Sequence, residues 1–359
     1  MVGARPVDPL AYENLLRPLL FVADAETAHQ RVMALLRAAQ HLGPQWDAPP
    51  PQVPGAPLRL FGLEFAGPVG LAAGLDKDGE AWRVWPALGF GFAEIGTVTP
   101  RPQPGNPKPR LFRLPECEAL INRMGFNSAG AQAVADRLPP RGTSAIPLGV
   151  NVGKNRDTPL EAAAEDLCQA IELLVKSADY LVINVSSPNT PDLRRLQSPR
   201  AVAELVRQCL AVAGGVPLLV KVAPDFGPGE LEETAVAAVD AGCAGLVTAN
   251  TTVTRPGAAA QHPLAAEQGG LSGAPLRNLA TAAVRRVWSA VGQRVPIVGV
   301  GGIDSPESAL EKLSAGASLL QVYSGLIYHG PGLVHHLHRQ LAESVGQRGQ
   351  TWLQAAGQE

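Results

Sequence analysis

The sequence predicts an α/β protein, a closed (β/α)8 barrel of the TIM type with a small N-terminal amphipathic helical extension. Three observations predict it. From residue 68 onward eight short β-rich runs alternate with longer helical patterns, the rhythm of βαβ units around a parallel sheet. These units fill about 270 residues, close to the roughly 250 of a typical barrel. A proline-rich stretch (Pro44, Pro49, Pro50, Pro51, Pro54, Pro57) separates them from a leucine-rich segment of different character. A doubly wound open sheet is the alternative for the same alternation.

In chain order, residues 1–46 form the extension. Leu15, Leu16, Leu19, Leu20 and then Val32, Leu35, Leu36 fall at helical spacing, which gives two short amphipathic helices. Their apolar faces suit either a cap packed on the barrel or a membrane surface. Residues 47–57 are the linker, 58–345 the barrel and 346–359 a polar tail. Barrel strands are expected at 68–73, 92–99, 146–152, 180–186, 217–223, 245–251, 296–302 and 319–325. Between them, Thr158-Pro159-x-Glu161 reads as a capping box with proline at the first helical position. Ser305-Pro306 reads the same way, with Gly316 closing that helix. Leu231, Ala235, Ala238 and Val239 share one helix face.

Composition narrows the function. At 359 residues, 46% hydrophobic and 17% charged, the chain buries a large core, which excludes intrinsic disorder. Lys+Arg 30 against Asp+Glu 32 leave a net charge of −2, so no field gathers nucleic acid by counterion release. Cys117, Cys168, Cys209 and Cys243 are far apart and form no C-x-x-C pair, which suits reduced thiols in a reducing cytosol rather than disulfides or zinc. Asp8 and Glu13 stand where a signal peptide would be apolar. The longest stretch without Asp, Glu, Lys or Arg lies between Lys312 and Arg339, but glycines, Pro331 and four histidines break it. A spanning helix needs roughly 20 apolar residues, so no membrane span is expected.

In such a barrel, function sits at the C-terminal ends of the strands. Those ends deliver Ala73-Gly74-Leu75-Asp76-Lys77, Thr97, Asn151, Asn184 to Asn189, Lys221, Asn250-Thr251, Gly301-Gly302 and Tyr323-Ser324-Gly325. Glycines at the last two ends suit an anion held by backbone N–H groups, hence a phosphorylated ligand, though they also permit tight turns. Lys221 lies inside an apolar strand, where an unpaired ammonium costs several kcal/mol or loses its proton. It therefore needs a partner: the electron-rich edge of a reduced flavin, or a carboxylate, of which the neighbouring strand ends offer few. Asn122, Asn184, Asn189 and Asn250 are expected to converge from four βα loops. Their amides can read both donors and acceptors of a pyrimidine-like edge. Ser187 has no histidine nearby in sequence, which argues against a Ser-His-Asp acyl transferase. It is either a general base in a dry pocket, assisted by Lys77, or a hydroxyl capping a proline turn.

Taken together, GLAAGLDKDGE (71–80), EIGTVTPRPQPGNPKPRLFRLP (94–115), INRMGFN (121–127), GVNVGKN (149–155), INVSSPNTP (183–191), VKVAPD (220–225), GGLSG (269–273), VGVGGIDS (298–305) and QVYSG (321–325) closely resemble class 2, quinone-linked dihydroorotate dehydrogenase. The resemblance runs from about residue 15 to about 340. It implies oxidation of dihydroorotate to orotate in pyrimidine biosynthesis, with electrons passing through FMN to a membrane quinone. Ala73, Gly74, Lys77, Thr97, Asn151, Asn184, Lys221, Gly273, Gly302, Tyr323 and Ser324 then match FMN contacts. Lys77, Asn122, Arg123, Met124, Gly125, Phe126, Asn184, Asn189, Asn250 and Thr251 match substrate contacts. Ser187 matches the catalytic base, a cysteine in soluble class 1 relatives. His29, Arg113 and Tyr323 match polar positions lining a quinone tunnel under the N-terminal helices. Those helices imply a peripheral enzyme on the cytoplasmic face of the cell membrane, with neither nucleic acid nor an obligate protein partner. One departure is visible: Ala249 stands where relatives commonly carry a threonine that touches FMN. Rival readings are a class 1 enzyme using fumarate or NAD, a flavin barrel acting on uracil in tRNA, and a barrel that binds a flavin or pyrimidine without oxidising it.

Overall fold

The structure is a computed structural model, and it describes residues 11–43, 46, 53, 54, 56–190 and 192–347. Linker prolines 44 and 49–51, and the tail from 348 onward, lie outside the described residues. Eight parallel strands close on themselves: β1 (Val69–Leu71), β2 (Ala93–Val98), β3 (Leu148–Val152), β4 (Tyr180–Asn184), β5 (Leu218–Val222), β6 (Gly245–Thr248), β7 (Ile297–Val300) and β8 (Leu319–Val322). Their order around the barrel is β1 to β8 in sequence, with β8 paired to β1, so the barrel prediction holds and the open sheet is excluded. All the strand residues are buried, because helices cover the outside and side chains fill the inside. Large rings fit where glycines leave room: Phe92 lies against Gly70, and Tyr180 against Gly149.

Most expected strands are one to three residues too long at their C-terminal ends. The reason is local. Past Asn184 the backbone pairs with side chains instead of a neighbouring strand, as when Ser186 N donates to Asn184 Oδ1 at 3.2 Å. The residues that leave the sheet are those that carry the site.

At the N-terminus a π-helical turn at Tyr12–Leu16 leads into α1 (Arg17–Val22) and α2 (Ala25–Ala39). Asp24 caps α2 by accepting from Thr27 N at 3.0 Å. Around the barrel run α3 (Ala163–Leu174), α4 (Pro199–Val212), α5 (Glu230–Asp240), α6 (Arg277–Val291), α7 (Pro306–Ser314), α8 (Ser324–His329) and α9 (Gly332–Gln347). Leu231, Ala235, Ala238 and Val239 face inward from α5 as their spacing requires. Ser305 forms its capping box with Ser308, and Gly316 follows α7 at φ +114°. The capping box expected at Thr158 does not form. Thr158 Oγ1 accepts from Arg101 and its carbonyl from Lys154, which leaves Pro159 to open a short 3₁₀ turn. Helix α9 also runs past the expected barrel boundary at 345.

Two elements are absent from the sequence reading, a hairpin of Leu58–Leu60 with Leu63–Phe65 and a larger sheet near the barrel mouth. Leu111–Leu114, Ala119–Asn122 and Gly270–Gly273 form a three-stranded antiparallel sheet with Ala119–Asn122 in the middle. It joins the β2–β3 connection to the β6–β7 connection. The N-terminal helices dock on its neighbourhood through a few polar clips. Glu26 pairs with Arg110 at 2.8 Å, and both side chains are buried. Arg113 donates to the carbonyls of Leu20 and Ala23 and stacks on Phe21. Tyr12 Oη donates to the Ile327 carbonyl at 2.8 Å. Leu20 and Leu36 are partly covered, whereas Leu15, Leu16, Leu19, Val22, Leu35 and Leu42 point outward. Among the described residues no helix is long and apolar enough to cross a membrane.

Candidate active site

Over the C-terminal ends of the strands lies a cavity with about 1100 Å³ of empty volume. Of the residues expected to hold cofactor or substrate, Ala73, Gly74, Lys77, Thr97, Asn122, Met124, Gly125, Phe126, Asn184, Asn189, Lys221, Asn250, Thr251, Gly273, Gly302, Tyr323 and Ser324 all line it. Ser187 does too. Two expected residues do not. Asn151 lies one layer behind the wall, accepting from Thr97 Oγ1 at 2.5 Å and from Asn184 Nδ2 at 3.2 Å. Arg123 turns away to pair with Glu267 at 2.6 Å and to stack on Phe112.

The asparagine ring forms, from three places and not the expected four, since Asn184 ends β4 and Asn189 lies in the connection that follows it. Asn189 Nδ2 donates to Asn122 Oδ1 at 3.1 Å, and Asn250 Nδ2 donates to Ser186 Oγ at 2.8 Å. Ser186 Oγ in turn donates to Asn184 Oδ1 at 3.0 Å. The hydroxyl of Ser187 accepts from Asn189 N at 3.2 Å, its one hydrogen bond among the described residues.

Glu94, which sequence reasoning missed, is the carboxylate of the barrel interior. It is fully buried and accepts from Asn151 Nδ2 at 2.8 Å and Gln321 Nε2 at 2.6 Å. A lone charge in the apolar run FAEIGTV was the available signal, the same one that singled out Lys221. Burial pushes the Lys221 amine down and the charge of Glu94 opposes that shift. No carboxylate lies within ion-pair distance of Lys221 among the described residues, so its charge is directed at the cavity. The expected scarcity of acids therefore holds within ion-pair reach of Lys221, though Glu118 and Asp304 line the cavity elsewhere and Glu94 lies one layer down.

At the other end of the cavity backbone replaces side chains. Gly302 sits at φ +66°, and a Cβ there would lie 2.5 Å from Arg277 N. Gly273 at φ +98° is crowded by the Glu118 carbonyl, so both positions admit only glycine. The Ser272 and Ser324 hydroxyls are 2.8 Å apart beside them. Tyr323 packs over Gly74, and burial pushes its phenol up to about 12. Ala249 lines the cavity with no hydroxyl, while its backbone N donates to the Val300 carbonyl at 3.2 Å.

The three expected tunnel residues are not gathered in one place. Tyr323 lines the main cavity, while His29 lines a second one of about 710 Å³ between α2 and the 75–80 segment. Arg113 lines neither and is spent on holding α1. Lys77 and Met124 are shared by the two cavities. Burial, and then the nearby Lys77, bring His29 down to about 4, so it is neutral at pH 7. Burial brings Lys77 down to about 8.

A closed barrel with such a mouth defines a (β/α)8 enzyme site: a backbone-walled end for an anion, a buried lysine in the middle, and a serine ringed by amides. The family model described as dihydroorotate dehydrogenase matches residues 57–345. The dihydroorotate dehydrogenase (quinone) of Myxococcus xanthus is 50% identical over 348 residues, 94% of this chain and 94% of that protein. That of Gloeobacter violaceus is 48% identical over 351 residues, 96% and 97% of the two chains. Among solved structures, DHODH from Eimeria tenella in complex with ferulenol superposes with a TM-score of 0.83 at 37% identity, covering 93% of this chain and 95% of that one. The chain belongs to the dihydroorotate dehydrogenase family, a family of flavin-dependent oxidoreductases.

Proposed function

We propose that this chain oxidises dihydroorotate to orotate, the redox step of pyrimidine biosynthesis, with FMN as its flavin and a membrane quinone as electron acceptor. The observation that carries the reading is that Ser187, the asparagine ring, Lys77 and Lys221 share one cavity, and that the cavity ends in a glycine-walled pocket. That end fits a phosphate, and the buried, carboxylate-free amine of Lys221 fits the electron-rich edge of a flavin. Bound there, FMN would supply the hydride acceptor and the route of two electrons to the quinone.

The chain's own residues do the rest. Asn122, Asn184, Asn189 and Asn250 orient the substrate ring by matching its donors and acceptors. Lys77 binds the substrate carboxylate. Having first released its own hydroxyl proton to solvent, Ser187 Oγ takes the proton from C5, in a pocket that Phe126 and Met124 help close. Lys221 holds positive charge against the cofactor. Asn151, through Glu94, fixes the amide orientation of Asn184 and the hydroxyl of Thr97. Residues 1–46 serve the quinone half-reaction and adhesion at the cytoplasmic face of the membrane. His29 and Tyr323 line separate cavities, and Arg113 acts by holding α1.

The test uses the full chain. Heat release should give FMN and not FAD. Anaerobic dihydroorotate should bleach the flavin, and a quinone but not fumarate should restore its colour. Recovery with fumarate alone would return the class 1 reading.

A further inference from the structure

One guanidinium joins three connections on the substrate side of the cavity. Arg194 stands in the 3₁₀ turn Leu193–Gln197 that follows β4. Its Nε donates to the Ser186 carbonyl at 3.1 Å, its Nη1 to Asp225 Oδ2 at 2.9 Å, and its Nη2 to the Thr251 carbonyl at 3.2 Å. These acceptors belong to the connections after β4, β5 and β6. Asp225 extends the junction by accepting from Val253 N at 3.1 Å and from Thr252 Oγ1. Arg194 and Asp225 are both largely buried, and neither lines the cavity.

The groups on either side of these anchors do line it. Ser187 follows Ser186, and Asn250 precedes Thr251. Ser187 is itself held weakly, since its one described hydrogen bond is the local one from Asn189 N. Its place relative to Asn250 is therefore set by the backbone on which it rides. We propose that Arg194, braced by Asp225, is a positioning residue that sets Ser187 against Asn250 and Thr251 for proton removal. The inference rests on the reading of Ser187 as base. Arginine suits the task because its planar fork reaches three acceptors in fixed directions, which a lysine ammonium on a flexible stem does not. A base displaced by about 1 Å loses roughly 100-fold in rate.

The experiment compares the wild-type holoenzyme with Arg194→Ala, Arg194→Lys and Asp225→Asn. Wild-type flavin reduction by dihydroorotate comes first, and its failure would remove the reading of the site without touching Arg194. Given that reaction, Arg194→Ala should keep its flavin and reduce it about 100-fold more slowly at saturating substrate. Orotate affinity, read from the shift of the flavin spectrum, should change by less than about tenfold. Added guanidinium ion should restore part of the alanine variant's rate, and Arg194→Lys should remain slow. Reduction of the alanine variant within about twofold of wild type overturns the proposal, as does a loss confined to orotate affinity. If Arg194→Ala sheds its flavin, Arg194→Lys and Asp225→Asn decide: slow reduction with flavin retained supports the proposal, and wild-type rates overturn it.

Discussion

The barrel mouth and the N-terminal helices treat water in opposite ways. At the mouth, polar groups are taken out of water and matched to one another: Glu94 is committed to Asn151 and Gln321, Asn151 to Thr97 and Asn184, and Asn250 to Ser186. At α1 and α2 a few polar clips hold the inner side, while Leu19 remains 71% and Val22 86% exposed. A buried polar group left unpaired costs about 1–3 kcal/mol, so a connected network admits one arrangement. Apolar burial has no preferred direction, so an uncovered leucine face selects only for another apolar surface. The first region is built to hold small molecules in fixed poses, and the second leaves an apolar face uncovered.

The largest effect should come from the mouth. If Ser187 is the base proposed above, Ser187→Ala removes it and leaves the walls intact, so flavin should stay bound while its reduction by dihydroorotate slows by about 10²–10⁴-fold. Ser187→Cys should recover part of that rate. Stopped-flow absorbance measures both, and an alanine variant as fast as wild type would move the base to Ser186 or a water molecule.

Next comes the clip between the regions. Glu26 faces Arg110 in a buried pair, with Lys108 at 3.2 Å on its outer side. Burial works to raise the Glu26 carboxyl, but the hydrogen bonds and charges of Arg110 and Lys108 outweigh it and hold it below the usual range. Removing one partner strands the other, at a cost of about 3–5 kcal/mol. Glu26→Ala should therefore undock α2, seen as early proteolysis of residues 11–43 while the barrel keeps its flavin. Because the folded carboxyl titrates lower than the unfolded one, the clip's contribution is complete above the unfolded value of 4.5 and is lost as pH falls through the folded one. Unchanged protease resistance would show that apolar contact alone docks the helices.

The contrast also explains what the sequence disclosed. Eight strands were legible because a buried parallel strand must read as a short apolar run, as LLVKV does. Lys221 stood out as the exception within that run, and Glu94 in AEIGTV should have stood out by the same rule. The Thr158 cap failed because Arg101, distant in sequence, claims that side chain. The mouth sheet was hidden for a similar reason. Its strands are four residues each, and Gly270–Gly273 pairs with a segment about 150 residues earlier in the chain. Arg123 and Arg113 lie inside matching motifs, yet each is bonded away from the main cavity, which no spacing discloses.

A smaller effect is expected at the outer face. Burying one such side chain gains about 1.5–3 kcal/mol, so replacing Leu19 and Val22 together by serine should weaken vesicle binding at least about tenfold. Flavin reduction by dihydroorotate should stay at the wild-type rate, because neither residue lines the main cavity. Co-sedimentation with liposomes measures the first and stopped flow the second. Equal binding by the variant would mean that the leucine face is a structural cap and not a membrane contact.

The smallest effect lies where the two regions share a wall. Lys77 lines both cavities, with His29 on the far side of one of them. Burial lowers the Lys77 amine from 10.5 to about 8, against the pull of Asp78. His29, down at about 4, is neutral near pH 8, so of the two, Lys77 is the cation that changes there. An anionic substrate needs that ammonium. Below pH 8 the lysine is charged and orotate affinity should be flat with pH; above it, affinity should fall by up to about tenfold per pH unit. Bound carboxylate favours the charged form, so the lysine's pKa should rise in the complex and binding should take up protons near pH 8.5. Isothermal titration in buffers of different ionisation enthalpy reads that uptake directly. Lys77→Arg should abolish the bend, since arginine stays charged throughout, even if the larger head group lowers affinity overall. A bend that persists in the arginine variant would assign the titration to another group. A wild-type affinity that is flat to pH 9.5 would mean that the polar second cavity solvates Lys77 from the helix side. The two regions would then be joined by water at this wall.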